Sequence, residues 1–439
     1  MNKLQAGFAK LNINPPMGTP INGYYIPRHV EGYLDDLEVV ALALKVENTT
    51  VVMLSVDTCI ISTSIAQTIR KQIAEAVNLP AESVWIHTTH THTAPNLDSD
   101  SYPKALYMME YLKYFAAAAA EGAIADLKES TFSAARSELP GITFVRRYNM
   151  KGGIVRNNPG RHNPDIIGPV SPADETIQLL KIQREGAGDI AIVNFQVHPD
   201  TRGGKLISAD YPAVVCNTME GALPGTSCLY MNGTAGDLNH VDVNCPEWDK
   251  NSGPEHSVHM GRAIAGKILS MYTKARPVAT GPVRTVQKDV TLPLKQSTPK
   301  DVEYANEVLR LLEAGLKDEA AKFSGTKFNI AGMEANGILR RVNGPASTTI
   351  SVCAASMGDF AIVGIPGEGF CEIGRQIREE SPFAVHFMSG LTNGDEGYLP
   401  TADAYNVDGY ESRTSSFLPG IAEALMDTGK TASKELFNG

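Results

Sequence analysis

Two kinds of apolar pattern alternate along this chain. Short, nearly continuous apolar runs bounded by turn residues predict buried strands at Leu37–Val46 (LEVVALALKV) and Val51–Val56 (VVMLSV), with Glu47-Asn48-Thr49-Thr50 as the turn between them. Helical spacing takes over from Ser62 to Val77, through Ile65, Ile69, Ile73 and Val77. Ser83–Thr89 is the next strand, followed by a loop to Asp100 and a long Ala-rich helix from Pro103 to Leu127. Strands are predicted at Ile142–Val145, Thr176–Ile182, Asp189–Val197 and Cys228–Met231, and helices at Tyr211–Ala222 and Ser257–Thr273. Strand character returns around Val283–Leu292, before a helix over Pro299–Phe323. The last third holds strands at Ile350–Ala355, Phe360–Ile365 and Ala384–Met388, a helix at Gly369–Glu380, a Gly/Asp/Tyr-rich loop at Ser389–Ser412 and a final helix from about Ser415. Met150–Pro172 follows neither period; polar and rich in Gly and Pro, it reads as an active-site loop. With no repeat and no linker, the alternation predicts one large α/β domain over residues 1–439, with mixed β-sheets flanked by helices.

Composition narrows the function classes. The chain has 439 residues, 43% of them hydrophobic, enough for a substantial core. Its net charge of −10 argues against a nucleic-acid or anionic-membrane surface. No apolar run is long enough to span a bilayer. The six cysteines show neither CxxC nor regular spacing, and read as free thiols in a reducing compartment. No apolar leader is visible at the N-terminus, so the cytoplasm is the default location. Oligomeric state is not legible.

The chemistry gathers where strands end. Three of the ten histidines fall in His87-Thr88-Thr89-His90-Thr91-His92. In extended chain, residues two apart share a side, so His90 and His92 face one site and His87 the other. Two imidazoles there make half a metal site, although such a pair is more often only a polar face. Asn194-Phe195-Gln196-Val197-His198-Pro199 ends an apolar strand at His198, a cleft residue or a turn histidine. Asn232-Gly233-Thr234-Ala235-Gly236-Asp237-Leu238-Asn239-His240 collects polar groups after a buried strand, more than a plain Asn-Gly turn needs. Ile365-Pro366-Gly367-Glu368-Gly369 bends sharply into a helix, where Glu368 serves either as a dipole-favoured cap or as a ligand. Asn393-Gly394-Asp395-Glu396-Gly397-Tyr398 is a glycine-rich acidic loop. Arg146 and Arg147, after Phe144-Val145, are candidates for holding an anionic or sugar-like group, as are Arg340 and Arg341; solvated salt bridges are the plainer alternative.

Taken in order, these segments resemble the catalytic domain of the neutral/alkaline (non-lysosomal) ceramidase family. Thr89-His90-Thr91-His92-Thr93-Ala94-Pro95 is similar to its Thr-His-Thr-His-Ser-Gly-Pro signature, and Phe195-Gln196-Val197-His198-Pro199 to its second histidine motif. Pro366-Gly367-Glu368 resembles its Pro-Gly-Glu turn, and Gly397-Tyr398-Leu399-Pro400-Thr401 its Tyr-Val-Thr segment. The opening Gly7-Phe8-Ala9-Lys10-Leu11-Asn12-Ile13-Asn14-Pro15-Pro16 is similar to the family's glycine-rich start. The resemblance implies zinc held by His90, His198, Glu368 and Tyr398, with His92 facing the substrate as an oxyanion donor. Such ligands suit zinc, which lowers the pKa of bound water and polarises a carbonyl. The family's Asn-Asp-Gly-Asp-Val-Ser-Pro-Asn motif is altered here, and the match puts Asp237 at the serine position. A carboxylate there suits a general base. A slipped alignment leaves Thr234 as the nearby hydroxyl. The chain is also too short for the family's added immunoglobulin-like domain, which weakens ceramide as the substrate.

The expectation is a neutral-ceramidase-like fold and a zinc-dependent hydrolase of an amide or related acyl bond in a small molecule. Its catalytic residues would be His92 and Asp237, and its substrate-binding residues Arg146, Arg147 and Asn239. A non-catalytic small-molecule or glycan binder on the same scaffold, or a metal-dependent lyase or isomerase, is the alternative.

Overall fold

The computed structural model describes residues 3–24, 26–97, 103–324, 328–407 and 409–439. Part of the loop predicted to reach Asp100 lies outside them. Eight strands make up the path of the main sheet: β1 (Leu4–Asn12), β2 (Glu38–Val46), β3 (Thr49–Val56), β4 (Val84–Thr88), β5 (Lys128–Glu138), β6 (Thr176–Arg184), β7 (Ile190–Phe195) and β8 (Ser227–Asn232). Their order is β8-β7-β6-β5-β1-β2-β3-β4, and Arg276–Val278 adds a short strand beside β5. The sheet is mixed: β3 and β4 run parallel, as do β7 and β8, while the other neighbours are antiparallel. A second sheet, β9 (Val283–Pro293), β10 (Ser347–Met357), β11 (Phe360–Gly364) and β12 (Val385–Ser389), is ordered as numbered, with β11 and β12 parallel.

Burial explains the layering. Strands with apolar residues on both faces need cover on both sides. One face of the main sheet packs on helices α1 (Thr63–Val77) and α2 (Pro103–Ala125), through Ala41, Ala43, Leu54, Ile69, Ile73 and Leu112. Helices α3 (Asp210–Ala222) and α4 (Pro254–Tyr272) cover β6 and β7 on the same principle, through Val215, Met219, Ile264 and Ile268. The opposite face lies against the second sheet, where Leu42, Val51, Trp85 and Leu229 meet Val283, Met357, Phe360 and Phe387. That second sheet is closed by a helix at Cys371–Glu379 and another at Ile421–Asn438, through Ile373, Ile377, Leu425 and Leu436. The result is helix, sheet, sheet, helix.

Several elements differ from expectation. β1 and β5, inner strands of the main sheet, carry too many small and polar residues to show a strand pattern. Met150–Pro172 is no loop: Arg147–Met150, Ile154–Asn157 and Ile166–Pro169 pair as a three-stranded sheet. The helix predicted over Pro299–Phe323 is two helices, α5 (Pro299–Glu313) and α6 (Lys317–Ser324), broken at Gly315, whose φ of 77° is outside helical space. A further helix, α7 (Phe328–Arg340), packs on α5 and leaves Arg341 near Asp301 and Glu334, with Arg340 as its cationic neighbour. Continuing the count, α8 is Cys371–Glu379, α9 is Tyr410–Thr414 and α10 is Ile421–Asn438. None of the described helices is long and apolar enough to cross a membrane.

One buried group in the second sheet sets a pH dependence. His386 on β12 is 2% exposed, with Nε2 3.2 Å from the Ser433 hydroxyl of α10. Burial, reinforced by Arg378, pushes its imidazole down from the usual 6.5 to about 3. The unfolded chain therefore binds this proton first, and stability present above pH 6.5 falls as the pH drops towards 3. Urea titrations at a series of pH values should show the wild type losing more stability over this window than His386→Leu; parallel curves would contradict the assignment.

Candidate metal centre

The ends of β4, β7, β8, β11 and β12 converge, and the polar segments following them meet there. Such crevices at strand carboxyl ends are where α/β folds place ligands. His87 helps to build this junction: its Nδ1 lies 2.9 Å from the Gly390 carbonyl, and its Nε2 accepts the Asn232 amide at 3.0 Å. Both nitrogens are satisfied, so His87 is a core residue.

His90 and His92 do face one site, but not through strand alternation. β4 stops at Thr88, and His90 has a left-handed φ of 71°. The turn brings the His92 Nε2 to 3.3 Å from the His90 Nε2. Gly23 is required for this packing, because a Cβ there would stand 2.7 Å from His92.

Three side-chain atoms from distant segments form a triangle. His90 Nε2 and His198 Nε2 are 3.2 Å apart, and Glu368 Oε2 lies 3.3 Å from the first and 3.1 Å from the second. The other nitrogen of each histidine faces a backbone carbonyl: His90 Nδ1 is 2.8 Å from Cys59 O, and His198 Nδ1 is 2.9 Å from Ala235 O. A carbonyl only accepts, so each Nδ1 carries the proton and each neutral ring turns its Nε2 lone pair inward. Glu368 Oε2 is buried without a hydrogen-bond donor. Three acceptors thus point at one another.

Electrostatics state the same demand. Burial disfavours charge on His90, yet Cys59 and Glu368 outweigh it and raise the imidazole well above its usual range. Burial would raise Glu368 too, but His90 and His198 hold it well below the carboxylate range. Burial and Arg146 push His198 down to about 4. The cluster requires one positive charge, either a proton on His90 or a cation between the three atoms.

The Glu368 turn is fixed by backbone. The Glu368 amide donates to Gly397 O at 2.9 Å, and Glu368-Gly369 pairs in parallel with Tyr398-Leu399. Gly367 has a φ of 134°, and a Cβ on it would meet Gly397 O at 2.7 Å. Gly236 packs as tightly, since its Cβ would stand 2.2 Å from Glu368 O. Tyr398 therefore lies in register beside Glu368. The Arg146 guanidinium lies beside its ring, 5.3 Å from the centroid.

The remaining predicted residues surround this core. Arg146 is buried, donating 2.7 Å bonds to Glu411 Oε1 and to Gly236 O. The guanidinium of Arg147 is 5.1 Å from the Phe370 ring centroid. Asn239 donates to Asn158 Oδ1 at 2.6 Å, within a two-residue strand paired to Phe144–Val145. The Asp237 carboxylate accepts the Cys371 amide at 2.7 Å, with the Cys371 thiol at 3.6 Å. That is a cap on the first turn of α8, directly after Glu368. His92 does not join the group in which His90, His198 and Glu368 all lie within 4.8 Å; its neighbours are His90, His198, Tyr24 and the buried Cys59. Glu411 and Tyr410, which flank Arg146, carried no signal in the sequence beyond being single residues of a polar loop.

Comparison with known proteins concerns the scaffold. No protein-family model matches the chain. The neutral ceramidase from Pseudomonas aeruginosa superposes with a TM-score of 0.74 at 16% identity, covering 99% of this chain and 75% of that one. A ceramidase complexed with C2 superposes with a TM-score of 0.72 at 15% identity, covering 100% of this chain and 76% of that one. The helix, sheet, sheet, helix arrangement that gathers these strand ends is the fold of the neutral ceramidases.

Proposed function

We propose that this protein is a zinc-dependent hydrolase that cleaves an amide, or a related acyl bond, of a small molecule. The observation carrying the proposal is the triangle itself. Tetrahedral zinc with bonds of about 2.0–2.1 Å separates its ligand atoms by roughly 3.3 Å. The three acceptors here are 3.1–3.3 Å apart, with their protons already on the far side of each imidazole. His90, His198 and Glu368 fit the ion, and Tyr398 is the fourth candidate from its register beside Glu368. Zinc in such a site supplies Lewis acidity and lowers the pKa of water.

The protein's own groups would divide the remaining work. Burial keeps His92 neutral, so it has one N–H. Its Nδ1 is buried without a partner, and an unpaired acceptor there is tolerated more readily than an unpaired donor. The proton then sits on Nε2, facing the cluster, where it can stabilise a developing oxyanion. Arg146 orients the Tyr398 ring. Asp237, whose carboxylate is engaged by Cys371, acts as a positioning residue for the Glu368 turn and not as the base. Matching the family's Gly-Asp to Gly236-Asp237 instead puts Asn239 at its serine position, beside Asn158. Arg147 and Asn239 are then substrate-facing candidates.

The protein should bind one equivalent of zinc after chelation and reloading, and the loaded form should hydrolyse members of a panel of N-acyl amines. Elemental analysis showing no stoichiometric metal would sink the proposal. Tight ligand binding without turnover across amides and esters would favour the non-catalytic alternative.

A further inference from the structure

Helix α9 has two sides. Glu411 pairs with Arg146 near the metal cluster, whereas Ser412 and Arg413 line a separate cavity of about 510 Å³. The segment after β9, the end of α7 and Tyr405 complete its walls, and none of His90, His198 or Glu368 lines it. Arg341, half of an arginine pair that the metal centre leaves unused, is part of that lining.

Three cations line the cavity: Lys295, Arg341 and Arg413. Arg413 is spent on Glu334, with Nε at 3.1 Å from one oxygen and Nη2 at 2.6 Å from the other. The other two are not spent. The Arg341 side chain makes neither a hydrogen bond nor an ion pair among the described residues, and its Nε is buried without an acceptor. Lys295 donates once, to Ser412 O at 2.5 Å, and forms no ion pair among the described residues. Asp301 and Glu334 stand near Arg341 but are engaged elsewhere. Asp301 accepts the Thr298 amide at 2.8 Å and its hydroxyl at 2.7 Å, and Glu334 holds Arg413 and the Tyr304 hydroxyl. Burial and the nearby Arg341 push the Lys295 ammonium down to about 8.

A buried donor without an acceptor and two like charges held close together both cost free energy. One anion between them relieves both. Lys295 keeps two free N–H groups and Arg341 its planar fork, a set that matches a tetrahedral oxyanion with two charges better than a carboxylate with one. The cavity is larger than such an ion. Gln296 and Asn406 are polar walls for the rest of a ligand, and the Asp301 and Glu334 carboxylates can accept from its hydroxyls. We propose that the cavity between α7, α9 and the segment after β9 binds a small phosphate monoester with a hydroxyl-bearing remainder, its phosphate held by Lys295 and Arg341. The site goes beyond the hydrolase reading and does not depend on it.

The test is calorimetric titration of the full-length, zinc-loaded protein with glycerol 3-phosphate, with glycerol and acetate as controls. Wild type should bind glycerol 3-phosphate about tenfold or more tightly than acetate, and glycerol alone should give no binding heat. Arg341→Met and Lys295→Met should each weaken glycerol 3-phosphate by about tenfold or more, the usual worth of a hydrogen bond to a charged group, with zinc content unchanged. Arg341→Met breaks no hydrogen bond of the fold, so it carries the test if Lys295→Met does not fold. His198→Ala, which breaks the metal cluster, should bind glycerol 3-phosphate as wild type does. No binding by wild type, equal affinity for acetate, or unchanged affinity in Arg341→Met overturns the site. Loss of binding in His198→Ala also overturns it, by placing the phosphate on the metal.

Discussion

His198→Ala is expected to bind no stoichiometric zinc and to lose more than about a hundredfold of hydrolytic activity while keeping its fold. Removing even an outer-shell partner of a metal ligand typically costs ten- to a hundredfold, and a ligand costs more. His198 supplies one corner of the triangle, and without it only His90 Nε2 and Glu368 Oε2 remain, 3.3 Å apart. The loss should be chemical, because the ring's other contact is a single bond to Ala235 O. The informative control is His87→Ala. That residue ties the Asn232 amide to the Gly390 carbonyl and faces no cluster atom. Its replacement should lower the melting temperature yet leave one zinc per folded molecule. Dialysis against chelator, reloading and elemental analysis separate the two variants. Retention of a full equivalent of zinc by His198→Ala would falsify the ligand assignment.

Arg146→Met should produce the largest loss of stability, about 3–5 kcal/mol, because it strands a buried carboxylate. Glu411 is fully buried, and its Oε1 takes the Arg146 Nε at 2.7 Å and the Asn157 amide. Its Oε2 already lacks a partner, so no reserve of hydrogen bonds compensates for a lost guanidinium. Arg146 also supports Gly236 O and the Tyr398 ring, so the same change should loosen one side of the metal cluster. Two readouts distinguish the effects. Urea denaturation should show a lower midpoint with an unchanged slope, and Arg146→Met/Glu411→Leu should recover much of the stability by removing the stranded charge. Zinc affinity should stay reduced in the double variant, because Tyr398 is still unsupported. A double variant no more stable than the single one would mean that packing, not charge, sets the cost.

What was legible in the sequence follows from where each signal resides. His90, His198 and Glu368 each follow a continuous apolar strand, so the strand pattern delivers them to one end of the sheets. Tyr398 depends on the register of a two-residue pairing with Glu368-Gly369, and only the family resemblance pointed to it. The role of Asp237 depends on α8 starting beside the loop after β8, a contact between residues far apart in sequence. No local pattern separates such a cap from a base. β1 and β5 were missed because Ala, Gly and Ser fill many of their buried positions, and for β1 close packing against α2 explains this. A Cβ on Gly7 would stand 1.9 Å from Ala123 O. The three-stranded sheet within 147–169 was hidden by the glycines and prolines of its turns.

The triangle joins the two sheets: His90 and His198 follow strands of the first, and Glu368 follows a strand of the second. During synthesis the N-terminal sheet emerges first and can begin to fold early. Half of the cluster would then exist long before its carboxylate. Two neutral imidazoles alone make a weak and unselective metal site. On the zinc reading proposed above, selective capture would therefore arise only once the Glu368 turn has docked. Such a hydrolase would be held inactive in a half-folded chain by its own topology, with no need for an inhibitor.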